Sequence, residues 1–488
     1  MKGARLCLPI MQNYYNSRTR ASRLWNPYTQ TMPRERLDEM HLRRIQLLMK
    51  HAYQNTSFYR RLYDQAGIKP EDIRTWEDFY RRVPFTDKPD LIQEQEGGGG
   101  FGHAQNGFGG RSGRDESGPY YAAQALPESS IHQFFTTAGT TGTPFRYNVS
   151  YYDSIKFGTS WSYQWWEVGV RSGDSAYLCF DFGKWVGMWV YYWTCRQMGV
   201  TVYSGAGLRS EERVREILKF RPTVVIGMPT YLLHLGIVAQ EIGLDLREAG
   251  VKHLIGGGEA GFNVPLTRQE MVRLWGATPT EAYGIGECGI GGMECSAHAG
   301  GVHDNEDNFH AYSADPETGE RVADGQVGEN IVTSYVRTSQ PFIKYRTHDL
   351  VERHYHVDHG CGSNWAFLKG TVLGRTDFMV KIKGVNVYPT AIENLLGQVD
   401  GMTRYYEMHV DRVGGLDQLL VRVEAQEGVS PETYGSLVER AEALYRSSLG
   451  VRIGVEVVAP KTLPRYELKT KRIFDHRPKE VQAGAARG

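Results

Sequence analysis

The sequence predicts an α/β protein in two parts, a large N-terminal region with mixed and parallel sheets and a smaller C-terminal α+β module. Three observations predict it. Between about residues 131 and 345, short β-branched runs alternate with helical stretches, the order expected of parallel strands covered by helices. Strands in that region run into glycines, as in Thr223-Val224-Val225-Ile226-Gly227 and in Gly256-Gly257-Gly258 after the strand 251–255. Ligands in such sheets bind where these glycines lie, at the carboxyl ends of strands. Beyond about residue 374 the pattern changes to strand, helix and strand, a separate compact unit.

Residues 36–66 read as helices, because Met40, Leu42, Leu47 and Leu48 recur among Arg and Glu at roughly helical spacing, followed by Phe58, Leu62 and Tyr63. The glycine-rich run 96–118 cannot hold a regular element and reads as a flexible insertion, either a plain loop or a lid or partner-binding loop. The strand at 223–227 leads into a helix around 231–239, and another helical segment follows Gly258. In the C-terminal unit, 417–423 reads as a strand. Ser430-Pro431-Glu432 then supplies an N-cap, a proline at the first helical position and an early acid. Leu437, Ala441 and Leu444 form the apolar stripe of that helix, Gly450 ends it, and 451–458 alternates as a second strand.

The 488 residues hold 56 Lys and Arg against 56 Asp and Glu. Zero net charge argues against binding duplex nucleic acid or an anionic membrane, which favour a basic excess. Aromatic residues make up 12% of the chain, which excludes general disorder. Six cysteines are too few for a disulfide scaffold. Met1-Lys2-Gly3-Ala4-Arg5 starts no signal peptide, and no stretch reaches the roughly 18 to 20 apolar residues of a membrane span. The expectation is a soluble, cytoplasmic protein.

Five short stretches carry chemistry. Thr136-Thr137-Ala138-Gly139-Thr140-Thr141-Gly142-Thr143-Pro144 combines hydroxyls with unobstructed backbone N–H groups, which suits phosphate oxygens. It has no Gly-Lys-Ser/Thr and is not a Walker loop; alone, it also fits a plain turn. Tyr283-Gly284-Ile285-Gly286-Glu287 sets a carboxylate behind a glycine turn at a strand end, suited to Mg²⁺ or to helix capping. Tyr345-Arg346-Thr347-His348-Asp349 offers an acid for ribose hydroxyls or for a surface ion pair. Gly374-Arg375-Thr376-Asp377 precedes Lys381-Ile382-Lys383-Gly384-Val385-Asn386-Val387-Tyr388-Pro389. Last comes Leu463-Pro464-Arg465-Tyr466-Glu467-Leu468-Lys469-Thr470-Lys471-Arg472, a basic run that could be a solvated tail.

In this order the five pieces resemble the adenylate-forming superfamily of acyl-CoA synthetases, luciferases and adenylation domains, and most closely the phenylacetate-CoA ligase family. Trp25-Asn26-Pro27, His51-Ala52-Tyr53-Gln54-Asn55, Phe58-Tyr59-Arg60 and Val83-Pro84-Phe85-Thr86-Asp87-Lys88 extend the resemblance, which runs from about 24 to 480. It implies ATP-dependent adenylation of an aryl carboxylic acid and thioester transfer to coenzyme A. The rivals are transfer to a carrier-protein thiol or an amine, and a nucleotide-binding scaffold without catalysis. It further implies a large domain over 1–374, a small mobile lid over 378–488 and a hinge near 375–377. A homodimer is a further expectation.

By resemblance, Thr140, Thr141 and Gly142 hold the ATP phosphates, and Gly257, Gly258 and Glu259 line adenine. Tyr283 with Gly284 stacks on adenine, Asp349 binds the ribose, Arg375 joins the nucleotide site, and Glu287 binds Mg²⁺. Phe182, Gly183, Trp185, Gly284, Ile285 and Gly286 fall at the acyl pocket, and an aromatic, glycine-gapped wall suits a flat aryl acid. Asp181 or Lys184 reads a ring substituent there or simply faces solvent. Trp161, Tyr163, Trp165 and Trp166 read as core.

Lys469 matches the catalytic lysine, with Lys471 as competitor; Leu468 stands where relatives usually have glycine. An ammonium bridging the attacking carboxylate and the α-phosphate offsets their repulsion most in the transition state. Asp377 matches the hinge residue. Relatives often carry a structural zinc near Cys295, and here Cys295, His303, His359 and Cys361 imply a two-Cys, two-His tetrahedral set, with His298 or His356 as substitutes. Cys288 reads as a small buried residue.

Overall fold

The computed structural model describes residues 22–96, 123–137, 144–259, 261–376, 380–382, 385–413, 416–464 and 472–477. Residues 97–118, the Thr140-Thr141-Gly142 loop, Asp377, Lys469 and Lys471 lie outside the described residues.

The N-terminal layer is helical, with α1 (Pro27–Gln30), α2 (Arg34–Asn55), α3 (Ser57–Gln65), α4 (Trp76–Arg82) and α5 (Lys88–Glu96). Helix α2 buries Leu37, His41, Ile45, Leu48, Met49 and Ala52, the spacing of one amphipathic face. Leu47, assigned to that face from the sequence, is 69% exposed. The stripe is set by positions 37, 41, 45 and 48, and 47 falls outside it.

A hairpin of β1 (Ile131–Thr136) and β2 (Arg146–Ser150) leads into α6 (Tyr151–Glu167), which starts with a Ser150–Asp153 capping box. Next come β3 (Ser175–Leu178), α7 (Val186–Met198), β4 (Thr201–Ser204), α8 (Ser210–Phe220) and β5 (Val224–Ile226). They are followed by α9 (Pro229–Glu241), β6 (His253–Gly257), α10 (Pro265–Trp275) and β7 (Thr278–Ile285). These five strands pair in parallel in the order β4-β3-β5-β6-β7.

The sheet then continues through β8 (Ile290–Cys295), β9 (His298–Asp304), β10 (Phe309–Ala314), β11 (Val327–Ser334), β12 (Tyr345–His354) and β13 (Phe367–Arg375). All of these pairings are antiparallel, and the eleven strands form one sheet in the order β10-β11-β12-β13-β9-β8-β7-β6-β5-β3-β4. Parallel pairing was expected across 131–345 and is found only within 175–285. Connection length explains the difference. Residues 286–289 join β7 to β8 and 296–297 join β8 to β9, whereas a parallel crossover needs a dozen or more residues.

Two cores cover the faces of the parallel half. Ile226 and Ile255 join Trp161, Trp165 and Trp193 on one side, while Val225 and Leu254 join Leu232, Leu235 and Trp275 on the other. Successive strand residues thus point to opposite faces. Trp161, Tyr163, Trp165 and Trp166 are all buried, as read from the sequence.

The C-terminal unit begins with a ribbon of β14 (Val380–Ile382) and β15 (Val385–Val387), then α11 (Pro389–Leu396). Its four-stranded sheet combines β16 (Met402–Val413), β17 (Leu416–Ala425), β18 (Gly454–Val458) and β19 (Ile473–Asp475) in the order β18-β17-β16-β19. Helix α12 (Tyr434–Leu449) buries Leu437, Ala441 and Tyr445, with Leu444 half-buried, and ends at Gly450 with φ 68°. The strand read at 451–458 starts only at Gly454; Val451 and Ile453 fill the core before it. Among the described residues, no helix is long and apolar enough to cross a membrane.

Candidate active site

Three sequence motifs converge through side chains of β7, β12 and β13, although β8 and β9 separate β7 from β13 in the order of the sheet. Asp349 and Arg375 are direct partners across the β12–β13 pair, and Arg375 Nη1 donates to Asp349 Oδ1 at 2.5 Å. Tyr283 Oη donates to Asp349 Oδ2 at 2.9 Å and accepts from Asn330 Nδ2 at 2.9 Å. Burial and the Asp349 charge push the Tyr283 phenol well above its ordinary value, so it keeps the proton it donates. One carboxylate oxygen is therefore held by a guanidinium and the other by a phenol.

Glu287 sits in the four-residue turn from β7 to β8. It accepts from Tyr345 Oη at 3.0 Å and pairs with Lys88 Nζ at 2.9 Å. Burial opposes its ionisation, but the Lys88 charge and the hydrogen bonds outweigh that and hold the carboxyl below its ordinary value. An ionised, nearly buried carboxylate of this kind fits a hard divalent cation. The neighbouring Cys288 is fully buried, and burial together with Glu287 pushes its thiol well above the ordinary value, which excludes a ready nucleophile.

Lys88 reaches Glu287 because residues 83–88 are annealed to the start of β12. Thr86 N donates to Lys344 O at 3.0 Å and Arg346 N donates to Thr86 O at 2.9 Å. Sequence reasoning assigned Lys88 no role, since nothing in the spacing connects it with a residue 199 positions away. Its signal was a lysine at the first position of a helix, where a cation is unfavourable beside the helix dipole.

The aromatic wall lies between β3 and α7. Trp185, 38% exposed, rests on glycine surfaces: a methyl added at Gly258 would come within 2.8 Å of its Cη2 atom. At Gly286 a methyl would meet Val186 Cγ1 at 2.8 Å and Tyr147 Oη at 3.2 Å. Phe182 packs on Trp189 at 4.9 Å between centroids, and Trp189 Nε1 donates to Gly183 O at 3.0 Å. Asp181 and Lys184 are both exposed, and Asp181 Oδ1 accepts from Gly207 N at 2.6 Å. Glu259 accepts from Thr230 N at 2.8 Å in the first turn of α9, behind the Gly257-Gly258 edge.

A second cluster lies at the far end of β8. Ligand atoms of Cys295, His303 and His359 lie within 4.8 Å of one another, and Cys361 Sγ is 3.5 Å from His303 Nε2. His303 Nδ1 bonds the Trp365 carbonyl at 3.1 Å, leaving Nε2 to face the cluster. Cys295 and the His303 ring pull the Cys361 thiol well below its ordinary value, while the same contact raises Cys295. His359 Nδ1 is buried with no hydrogen-bond partner among the described residues. His298 stacks outside on His359 at 4.5 Å, and His356 is exposed. Three of the residues that resemblance assigned to a metal, Cys295, His303 and His359, thus meet, and Cys361 joins them through His303, while His298 and His356 are exposed.

This site belongs to a known class. The AMP-binding enzyme family model matches residues 64–338, and that of the AMP-binding enzyme C-terminal domain matches 384–477. The chain belongs to the AMP-binding enzyme family. It is 29% identical over 472 residues to the phenylacetate-coenzyme A ligase of Thermus thermophilus, covering 93% of this chain and all of that enzyme. Among solved structures, 2-hydroxyisobutyryl-CoA ligase in the postadenylation state with 2-HIB-AMP superposes with a TM-score of 0.82, at 27% identity over 96% of each chain. The same enzyme with 2-HIB-AMP and CoA in the thioesterification state superposes at 0.66, at 28% identity over 95% of each chain.

Proposed function

We propose that the protein is an AMP-forming acid–CoA ligase that adenylates an aryl carboxylic acid with ATP and passes the acyl group to coenzyme A. The observation that carries the reading is the convergence of Tyr283, Asp349 and Arg375 beside the Glu287–Lys88 pair, in a chain of this family. In this reading Asp349, held in place by Tyr283 and Arg375, takes the ribose hydroxyls. Gly257, Gly258 and Glu259 border adenine, and Thr140, Thr141 and Gly142 take the phosphates. Glu287, kept ionised by Lys88 and Tyr345, holds Mg²⁺, which neutralises phosphate charge. Phe182, Trp185 and Gly286 wall the acyl pocket, and its aromatic faces favour a flat acid.

Lys469 offsets the repulsion between the attacking carboxylate and the α-phosphate. Residues 1–374 and 378–488 act as two domains about a hinge at 375–377, so that one site serves both half-reactions. The better superposition on a postadenylation state than on a thioesterification state supports the adenylating arrangement here. At the Cys295 end, four protein ligands suit a structural zinc with no position left for water.

Pyrophosphate release across a panel of acids, with and without coenzyme A, tests the reading. Release with aryl acids, followed by thioester formation only when coenzyme A is present, is the expected result. Release with small aliphatic acids alone would replace the aryl assignment, and no release with any acid would sink the ligase reading.

A further inference from the structure

We propose that Arg404 is a positioning residue that latches the C-terminal module onto α10 in the adenylating arrangement, an inference that rests on the ligase reading above. Arg404 Nη1 donates to Thr267 Oγ1 at 3.0 Å, across 137 residues of sequence. Thr267 is buried in the first turn of α10. Arg404 lies where the β16–β17 register is broken, between Met402 and Tyr406. Such irregularities re-aim side chains out of a regular ladder, and this one faces the large domain.

Behind Arg404 the module is tightly braced. Arg472 Nη1 donates to the Arg404 carbonyl at 3.2 Å, lies 4.3 Å over the Tyr406 ring and approaches Glu393 at 3.5 Å. Arg472 is three residues beyond Lys469. The same brace that presents Arg404 to α10 therefore anchors the end of the catalytic segment. Across the contact stand Glu259 and Glu270. Burial raises the Glu259 carboxyl, and the Thr230 hydrogen bonds, then the charges of Arg472 and Arg404, counter it. Glu270 is lowered chiefly by its bond to Arg273, with a further contribution from Arg404.

The Arg472–Tyr406–Glu393 brace lies inside the module and travels with it. The Arg404–Thr267 bond crosses between domains, so rotation about 375–377 breaks it. An interaction made in only one of two states shifts their balance by its own free energy. The latch therefore favours the state in which Lys469 is presented, and it places no group on the substrate.

Arg404→Ala tests the inference through three readouts. Adenylation, followed as pyrophosphate release, should fall about tenfold, the order of one interdomain coupling. Thioester formation from supplied acyl adenylate should stay within about twofold of the unaltered protein, a split that general destabilisation does not give. Amide exchange over the first turn of α10 should quicken, which reads the contact without any chemistry. Arg404→Lys, which can still donate to Thr267, should recover most of the loss. Thr267→Val should reproduce the split, and the double variant should be no worse than either single one. Equal loss in both half-reactions, undiminished adenylation or unchanged exchange would each overturn the latch. Absence of pyrophosphate release in the unaltered protein instead fails the ligase reading, while the exchange result still stands or falls alone.

Discussion

The two ends of the β7–β8 hairpin are built in opposite ways. At one end, the turn carrying Glu287 is met by Lys88 and Tyr345, side chains brought in from separate segments. At the other, roughly 20 Å away at 3.4 Å per strand residue, Cys295 closes a compact set with His303, His359 and Cys361. The first end holds charges in balance and leaves them able to exchange partners for ligands. At the second, Cys295, His303 and His359 bring their ligand atoms together, and His303 is fixed through the Trp365 carbonyl. In the proposed ligase the first arrangement would serve reactivity through provisional pairing and the second stability through closure.

The comparison breaks most sharply if the lysine expected to serve the Glu287 end is removed. Lys469→Ala should lower adenylation by about 10²–10³-fold, the scale of losing one preorganised electrostatic contact, with thermal unfolding unchanged. Full activity in that variant together with loss in Lys471→Ala would move the role two residues on. At the Cys295 end the expectation is the reverse. Cys361→Ser should lose zinc, present at about one per chain before substitution, and should lower Tm by several degrees. Elemental analysis and calorimetry check it, and a variant that keeps both metal and Tm would dissolve the contrast.

How much of this was legible follows from what each feature depends on. The parallel half of the sheet shows in the sequence because its fully buried strands are continuous apolar runs ending in glycine, such as 223–227. The antiparallel half does not, because β8 to β13 mix buried polar and apolar residues, as in Glu329, Asn330 and Thr333 on β11. The motif residues at 283, 287, 349 and 375 were visible as residue types in order. That Asp349 faces Arg375 was not, since it needs the β12–β13 register. Lys88 escaped for the same reason. The Cys295 cluster was suggested by resemblance alone, and its closure comes from β9 pairing with β13, Phe367 lying opposite His303.

A smaller effect sharpens the Glu287 end. Trp185 packs against Gly258, and in the proposed acyl pocket a narrower side chain would leave that space to the substrate. Trp185→Ala should raise kcat/KM for bulky aryl acids relative to small ones by about tenfold, the scale of modest pocket changes. Parallel assays of two acids of different size check it. An unchanged ratio would place the ring outside the acyl pocket.

The smallest effect lies between the two ends, where Glu281 on β7 adjoins Glu294 on β8; Glu281 N donates to Glu294 Oε2 at 3.1 Å. Burial first, and Glu294 second, push the Glu281 carboxyl up to about 8, while Arg268 pairs with Glu294 at 2.8 Å. Between the ordinary value of 4.5 and about 8 the folded chain therefore holds a proton that the unfolded chain releases. Folding then binds protons, so stability from this group is complete below 4.5 and declines as pH rises towards 8. Glu281→Gln, which mimics the protonated acid, should flatten that decline. Tm measured from pH 5 to 8.5 should fall by about 2–4 °C more in the unaltered protein than in the variant. Glu167, raised to about 7 by burial, titrates in the same window in both proteins, so the difference between them isolates Glu281. Identical slopes would mean that Glu281 is already ionised in the folded chain across this range.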